Sequence, residues 1–339
     1  MTLTVLNDIH IGTIRGAGTT PATQLELRQF IIDEFLRLLP DTDLMILGDL
    51  FDKESIPITD LLKTYRGLFE WLKKGHKLWL VAGNHDLSKT SNVMSSFGFL
   101  GALLTDASKQ VKVVTTPTLT PYGYVIPHLP NQDLFDIALD NVPECENLFL
   151  HCNYDNNFAA QLDQSLNLSA EQARKLPVKR NIFIAHEHHK RITGKVVLPG
   201  NQIPSSCADL APDEDKYFLR VSGSNLMYDN EKTYALVRCN VRALLYTAAT
   251  LEDMGKADTK FVRVGGTVDA EKAGSALTAL NRLRATSKAL VITNGIEVLK
   301  DNQAMELTSS GAELQAFDVW AALTRLLTPQ EIEILKGLA

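Results

Sequence analysis

Cysteine is scarce in this chain, with four in 339 residues: Cys145, Cys152, Cys207 and Cys239. They form no CxxC pair and no dense framework, which argues against a disulfide scaffold and for reduced thiols in a cytoplasmic setting. Cys152, beside His151, reads as a buried thiol. No run approaches the ~18 apolar residues a membrane helix needs. The first residues enter an apolar run at once, without the basic-then-apolar order of a signal peptide. No internal repeat or low-complexity stretch is evident. A basic excess is also missing: 34 Lys and Arg stand against 40 Asp and Glu, a net charge of −6. Nucleic-acid enzymes usually carry a basic footprint, so this balance is awkward for one. What remains is 45% apolar and 22% charged, the profile of a soluble globular protein with ample core.

Short apolar runs punctuate the first half: Leu3–Leu6, Leu44–Leu47, Leu78–Val81, Leu148–Leu150 and Ile182–Ala185. They read as buried strands. Residues 24–39, 59–74 and, more loosely, 92–104 carry apolar positions at helical spacing, so strand and helix alternate as in an α/β layer. After Gln110 the texture turns to short β runs, with a brief helix at 171–176 and returning strands at 196–198, 217–221 and 234–237. A four-layer α-β-β-α sandwich fits this order. A smaller unit follows with a β-α-β-β pattern: Phe261–Val264, a helix over 269–284, Ala289–Thr293 and Glu297–Leu299. The tail reads as two short helices, with Thr328 as N-cap and Pro329 at N1. The expected organisation is thus residues 1–245, a small α+β domain at 246–312, and a helical tail at 313–339.

At the end of each of those five strands stand residues able to bind metal. They are Asp8 and His10 in LNDIHIG, Asp49 in LGDLFD, Asn84 in AGNHD, His151 in FLHCN, and His186 and His188 in IAHEHH. Carboxylate, amide and imidazole together suit borderline first-row divalent cations. Two such ions about 3.5–4 Å apart can share a carboxylate and a bridging hydroxide, and clamp the attacking and leaving oxygens of a phosphate ester. Asp49 is the natural bridge. His85, directly after Asn84, is placed to give a proton to the leaving oxygen. Five of eight histidines fall in these clusters; His76, His128 and His189 read as ordinary core or surface residues. Between Arg174 and Lys195 seven basic residues face one acid, Glu187, so either a positive strip or an ordinary solvated face adjoins His186 and His188.

These motifs, in this order over residues 3–190, resemble the calcineurin-like metallophosphoesterases. Within that superfamily the chain is most similar to the SbcD-type DNA exonucleases, bacterial and phage relatives of the nuclease subunit of double-strand-break repair complexes. GDLFDKESIP looks like their second motif, YVIPHLP at 124–130 like their strand entering a Pro-rich turn, and LPGNQIP at 198–204 like the turn after their last motif. The small α+β unit stands where those enzymes carry a DNA-capping domain. The resemblance implies that Asp8, His10, Asp49 and His188 hold one metal and Asp49, Asn84, His151 and His186 the other, typically Mn2+. His85 becomes the catalytic histidine, with Asp52 supporting it or the substrate. It further implies a homodimer through helices 60–72 and 92–104, and a C-terminal segment that can bind an SbcC-like coiled-coil ATPase. Ala185 stands where the family usually has glycine, and the fourth motif lacks the glycine often found after its histidine.

The leading expectation is therefore a two-metal DNA exonuclease, with single-strand endonuclease action as an added activity, in a bacterial or phage-infected cytoplasm. Arg15, Lys53, Lys89, Lys190 and Arg191 lie near the motif loops as candidate phosphate contacts. The alternative is a phosphatase or small-molecule phosphodiesterase on the same scaffold. Lys53 and Glu54 follow Asp52 where protein phosphatases of the superfamily place an arginine, which speaks against that branch. A non-catalytic descendant would be expected to have lost ligands or the proton donor, and this chain keeps all of them.

Overall fold

Alternation of side chains along each strand decides the layering. The computed structural model describes residues 2–14, 21–88, 90, 93–157, 165–205, 209, 215–222, 233–240, 243–247, 261–286 and 289–299. Strand β1 (Thr2–Leu6) leads through helix α1 (Pro21–Leu38) to β2 (Asp43–Leu47), α2 (Ile58–Leu72), β3 (Leu78–Val81), α3 (Ser96–Ala107) and β4 (Val111–Val114). These four strands pair in parallel. The second sheet takes β5 (Thr118–Thr120), β6 (Gly123–Ile126), β7 (Cys145–His151), β10 (Val178–Ala185), β11 (Arg191–Thr193) and β12 (Val196–Leu198), with β6, β7, β10 and β12 parallel. Between them lie α4 (Gln132–Asp140), the short pair β8 (Asn153–Tyr154) and β9 (Asn167–Leu168), and α5 (Ala170–Lys175). The chain then returns to the first sheet as β13 (Tyr217–Ser222), antiparallel to β1, and β14 (Tyr234–Arg238).

Leu3, Val5, Met45, Leu47, Trp79 and Val81 of the first sheet meet Phe149, Phe183, Ala185 and Val197 of the second in one core. Their neighbours Leu6, Leu44, Ile46, Leu78 and Leu80 turn the other way, under α1, α2 and α3. Leu148, Leu150, Ile182 and Ile184 likewise face α4 and α5. Strands buried on both faces explain why the sequence showed continuous apolar runs rather than alternation. Ala185, the departure from glycine, is fully buried between the sheets, where its methyl adds to the packing. The four-layer sandwich expected from the sequence is the fold observed.

Helix starts follow local chemistry. Ser95 caps α3 by accepting the Gly98 N–H, Asn131 caps α4 by accepting that of Leu134, and Ser169 with Gln172 forms a capping box on α5. α3 therefore begins at Ser96, four residues beyond the expected start at 92. α4 was not foreseen from the sequence.

Beyond the sandwich, β15 (Ala243–Thr247), β16 (Phe261–Asp269) and β17 (Val291–Leu299) form a parallel three-stranded sheet with α6 (Ala273–Thr286) between the last two. The expected pair Ala289–Thr293 and Glu297–Leu299 is one strand. Pairing with β16 runs through the expected break, Asn294 opposite Val264 and Gly295 opposite Gly265. The described residues belong to one compact unit, Met1–Leu299. The helical tail, and with it the expected ATPase-binding segment, lies outside the described residues. Among the described residues no helix is long and apolar enough to cross a membrane.

Candidate metal centre

Parallel strands put equivalent ends on one side, and the loops at their carboxyl ends carry the functional groups. Asp8 and His10 follow β1, Asp49 follows β2, Asn84 follows β3, His151 ends β7, and His186 and His188 follow β10. Ladder-like hydrogen bonds continue into these loops. Asp8 N–H donates to Gly48 O at 3.1 Å, His10 N–H to Asp49 O at 3.0 Å, and Gly48 N–H to Val81 O at 3.1 Å.

Donor atoms from all seven residues converge. His10 Nε2 and His188 Nε2 stand 3.2 Å apart. Asn84 Oδ1 lies 3.0 Å from His151 Nε2 and 3.1 Å from His186 Nδ1. Asp49 Oδ2 is 3.4 Å from His151 Nε2 and 4.0 Å from His10 Nε2. Three overlapping groups emerge, each with its ligand atoms within 4.8 Å of one another: the two donor groups Asp8–His10–His188 and Asp49–His151–His186, and His10–Asp49–His85, which shares a residue with each. Asp8 shows what the groups are built for. Its Oδ2 accepts from Asn7 Nδ2 at 2.7 Å and His186 N–H at 3.0 Å, while its Oδ1 is buried without a hydrogen-bond partner. An orphaned carboxylate oxygen facing clustered imidazoles is costly unless a cation is there to meet it. The donor set fits divalent metal ions.

The charges follow from this crowding. Burial works against the Asp49 carboxylate, but His151, and then His10 and His85, outweigh it and hold the group well below the usual carboxylate range. Burial also disfavours charge on His151, yet Asp49 more than offsets it and pushes the imidazole up to about 9. His151 Nδ1–H donates to Leu47 O at 3.1 Å, which turns Nε2 toward Asp49 and Asn84.

His85 stands at the half-buried edge of the cluster, its ring 5.1 Å from that of His10. Its Nδ1–H donates to the Asp52 carbonyl at 2.8 Å, leaving Nε2 as the available nitrogen. Asp52 thus reaches His85 through its backbone, while its carboxylate lies 3.7 Å from His10 Nδ1.

Several residues around the centre were missed in the sequence. Asp86 accepts the Phe51 and Gly83 N–H groups behind Asp49, and burial followed by repulsion from Asp49 pushes its carboxyl up to about 7. The AGNHD motif contained the signal, since its final acid sits two residues from a ligand. His128 lies edge-on to His151 at 6.4 Å, and burial followed by that neighbour holds it down to about 4. Gln202 accepts the Asn7 N–H at 2.7 Å and so ties the LPGNQIP turn to β1. Asp209 accepts from His188 Nδ1 at 2.6 Å. Asn7 and Gln202 stand inside LNDIHIG and LPGNQIP, but nothing local marks their pairing, and no motif marks Asp209; only the fold brings them in.

The candidate phosphate contacts fare differently. Arg15 and Lys89 lie outside the described residues. Lys53 is exposed beside Asp52. Lys190 sits over the Tyr217 ring at 4.1 Å, and Arg191 binds both Glu187 oxygens at 3.0 Å and the Tyr154 carbonyl. Within the supposed basic strip, Lys175, Lys179 and Arg180 also pair with Glu171, Glu144 and Glu146. Four of its seven basic residues are thus paired, two with acids one helical turn away in sequence spacing and two with the distant Glu144 and Glu146.

Comparison with known proteins agrees at the level of the superfamily. No curated protein matches the chain. Among solved structures, phosphopantetheinyl hydrolase from Mycobacterium tuberculosis is 14% identical with a TM-score of 0.36, over 59% of this chain and 89% of that one. The calcineurin-like phosphoesterase family matches over residues 1–203, which include every residue of the two donor groups. With more than half its length matched and the candidate metal ligands converging at the sheet ends, the chain belongs to the calcineurin-like phosphoesterases.

Proposed function

We propose that this protein is a phosphodiesterase that uses two divalent cations, Mn2+ by resemblance, to shorten DNA from its ends. The observation that carries the hydrolytic part is the paired donor groups, with Asp49 beside both. When bound, such ions supply Lewis acidity and a nucleophile at neutral pH. Asp8, His10, Asp49 and His188 would hold one, and Asp49, Asn84, His151 and His186 the other. The chain's own part is to fix these side chains before substrate arrives. His85, locked through Nδ1, presents Nε2 to carry a proton to the departing sugar oxygen.

DNA as substrate is supported by the likeness of GDLFDKESIP, YVIPHLP and LPGNQIP to SbcD-type exonucleases and by the additional β-α unit after the sandwich. Pairing of Lys175, Lys179, Arg180 and Arg191 with acids favours a second reading, a small phosphodiester that needs no extended basic track. The exposed side chains Ile58 and Leu62 on α2, and Val93, Met94 and Phe99 at α3, support a homodimer through these neighbouring helices.

End-labelled linear duplex DNA and bis-p-nitrophenyl phosphate, each offered with Mn2+ to the parent protein and to His85→Ala, separate these readings. Progressive shortening that needs both Mn2+ and His85 is the expected result. Intact DNA with His85-dependent cleavage of the small ester would replace it with the second reading.

A further inference from the structure

A histidine has two ring nitrogens, and a metal centre works only if the correct one faces inward. His186 and His188 are two residues apart, yet they address the centre with opposite atoms: His186 through Nδ1 and His188 through Nε2. For His188 the choice has a visible cause. Its Nδ1 lies 2.6 Å from Asp209 Oδ1, and a carboxylate there can only accept. Asp209 is 1% exposed, and its other oxygen accepts from Asn201 Nδ2 at 2.9 Å, Ser205 N–H at 2.6 Å and Ser205 Oγ at 2.9 Å. The backbone of His188 is held as well, its carbonyl accepting from Asn201 N–H at 3.2 Å and Lys216 Nζ at 3.1 Å. Ring and backbone are thus both tied to the loop after β12.

We infer that Asp209 is a positioning residue of the metal centre: it fixes the Nδ1-protonated form of His188 and makes Nε2 the ligand atom. The inference rests on the metal-dependent reading above. A carboxylate behind a ligating imidazole sets its orientation and raises its basicity, and loss of such a partner typically costs 10–100-fold in metal affinity. Asp209 belongs to neither donor group, so its carboxylate acts on the centre through His188.

The test uses the full chain, stripped of metal and titrated with Mn2+ by calorimetry, with circular dichroism as the check on folding. Asp209→Ala is expected to weaken Mn2+ binding about 10–100-fold, and to add nothing when combined with His188→Ala. Losses that simply add in the double variant would assign Asp209 to holding its loop and overturn the proposal. Unchanged affinity in Asp209→Ala beside a weakened His188→Ala would overturn it and leave the metal-dependent reading standing. Mn2+ binding that is absent, or indifferent to His188→Ala, would remove both. Should Asp209→Ala fail to fold, long-range proton–nitrogen NMR of the parent His188 ring decides the matter. Protonated Nδ1 is expected; a ring protonated at Nε2 with a bare Nδ1 would overturn the proposal.

Discussion

Among the described residues, five non-glycine residues hold a positive φ, and four of them are proposed ligands: Asp8, His10, Asp49 and His186. Each such torsion costs on the order of 1–2 kcal/mol for an L-residue, so the surrounding structure must impose them. Gly48, at φ +82°, is one of the devices, because a Cβ there would overlap the His151 ring. Gly48→Ala should lower stability by more than about 1 kcal/mol and weaken Mn2+ binding, as thermal unfolding and titration would show. Asp52 offers a sharper discrimination. Asp52→Asn keeps the carbonyl that orients His85, so turnover at saturating metal should persist, whereas His85→Ala should lose about 10²–10⁴-fold. The effect of Asp52→Asn should appear in metal affinity instead, through His10. Protons and metal also compete for His151. With its pKa raised to about 9, the imidazole is charged at neutral pH and must lose its proton to bind metal. Mn2+ affinity should therefore rise with pH up to about 9, and calorimetry in buffers of different ionisation enthalpy should detect proton release.

At the scale of elements, the sequence was most legible where burial on both faces left unbroken apolar runs, as in β1, β2, β3 and β10. The convergence of the candidate ligands at their ends was legible for the same reason, since a short motif after a strand has a fixed place in space. The residues that hold those ligands were not. Asp209 is 21 positions from His188 and Gln202 is 195 from Asn7, separations no local pattern spans. The break expected between Thr293 and Glu297 is absent because parallel pairing with β16 carries a single strand through it. The expected dimer belongs to this scale too. Replacing Ile58 and Met94 together by Asp should convert a dimer to a monomer in sedimentation experiments while leaving Mn2+ affinity intact. A parent protein that sediments as a monomer would remove the idea.

For the whole molecule, metal is expected to act as part of the fold. Free ion at about 100 times its dissociation constant stabilises a folded state by about 2.7 kcal/mol when only that state binds. Removal of metal with a chelator should lower the melting temperature by several degrees, and excess Mn2+ should restore it. Centre-forming contacts join Asp8 to His186, and His10 to His188, across 178 positions. During synthesis the first ligands therefore leave the ribosome long before their partners exist. A nascent chain holding only β1 to β4 has half a centre and an apolar inner face still waiting for its second sheet. Tight metal capture must then be a late event, coincident with the two sheets closing on each other. The time at which a growing chain first retains Mn2+ would mark the moment its two halves have met.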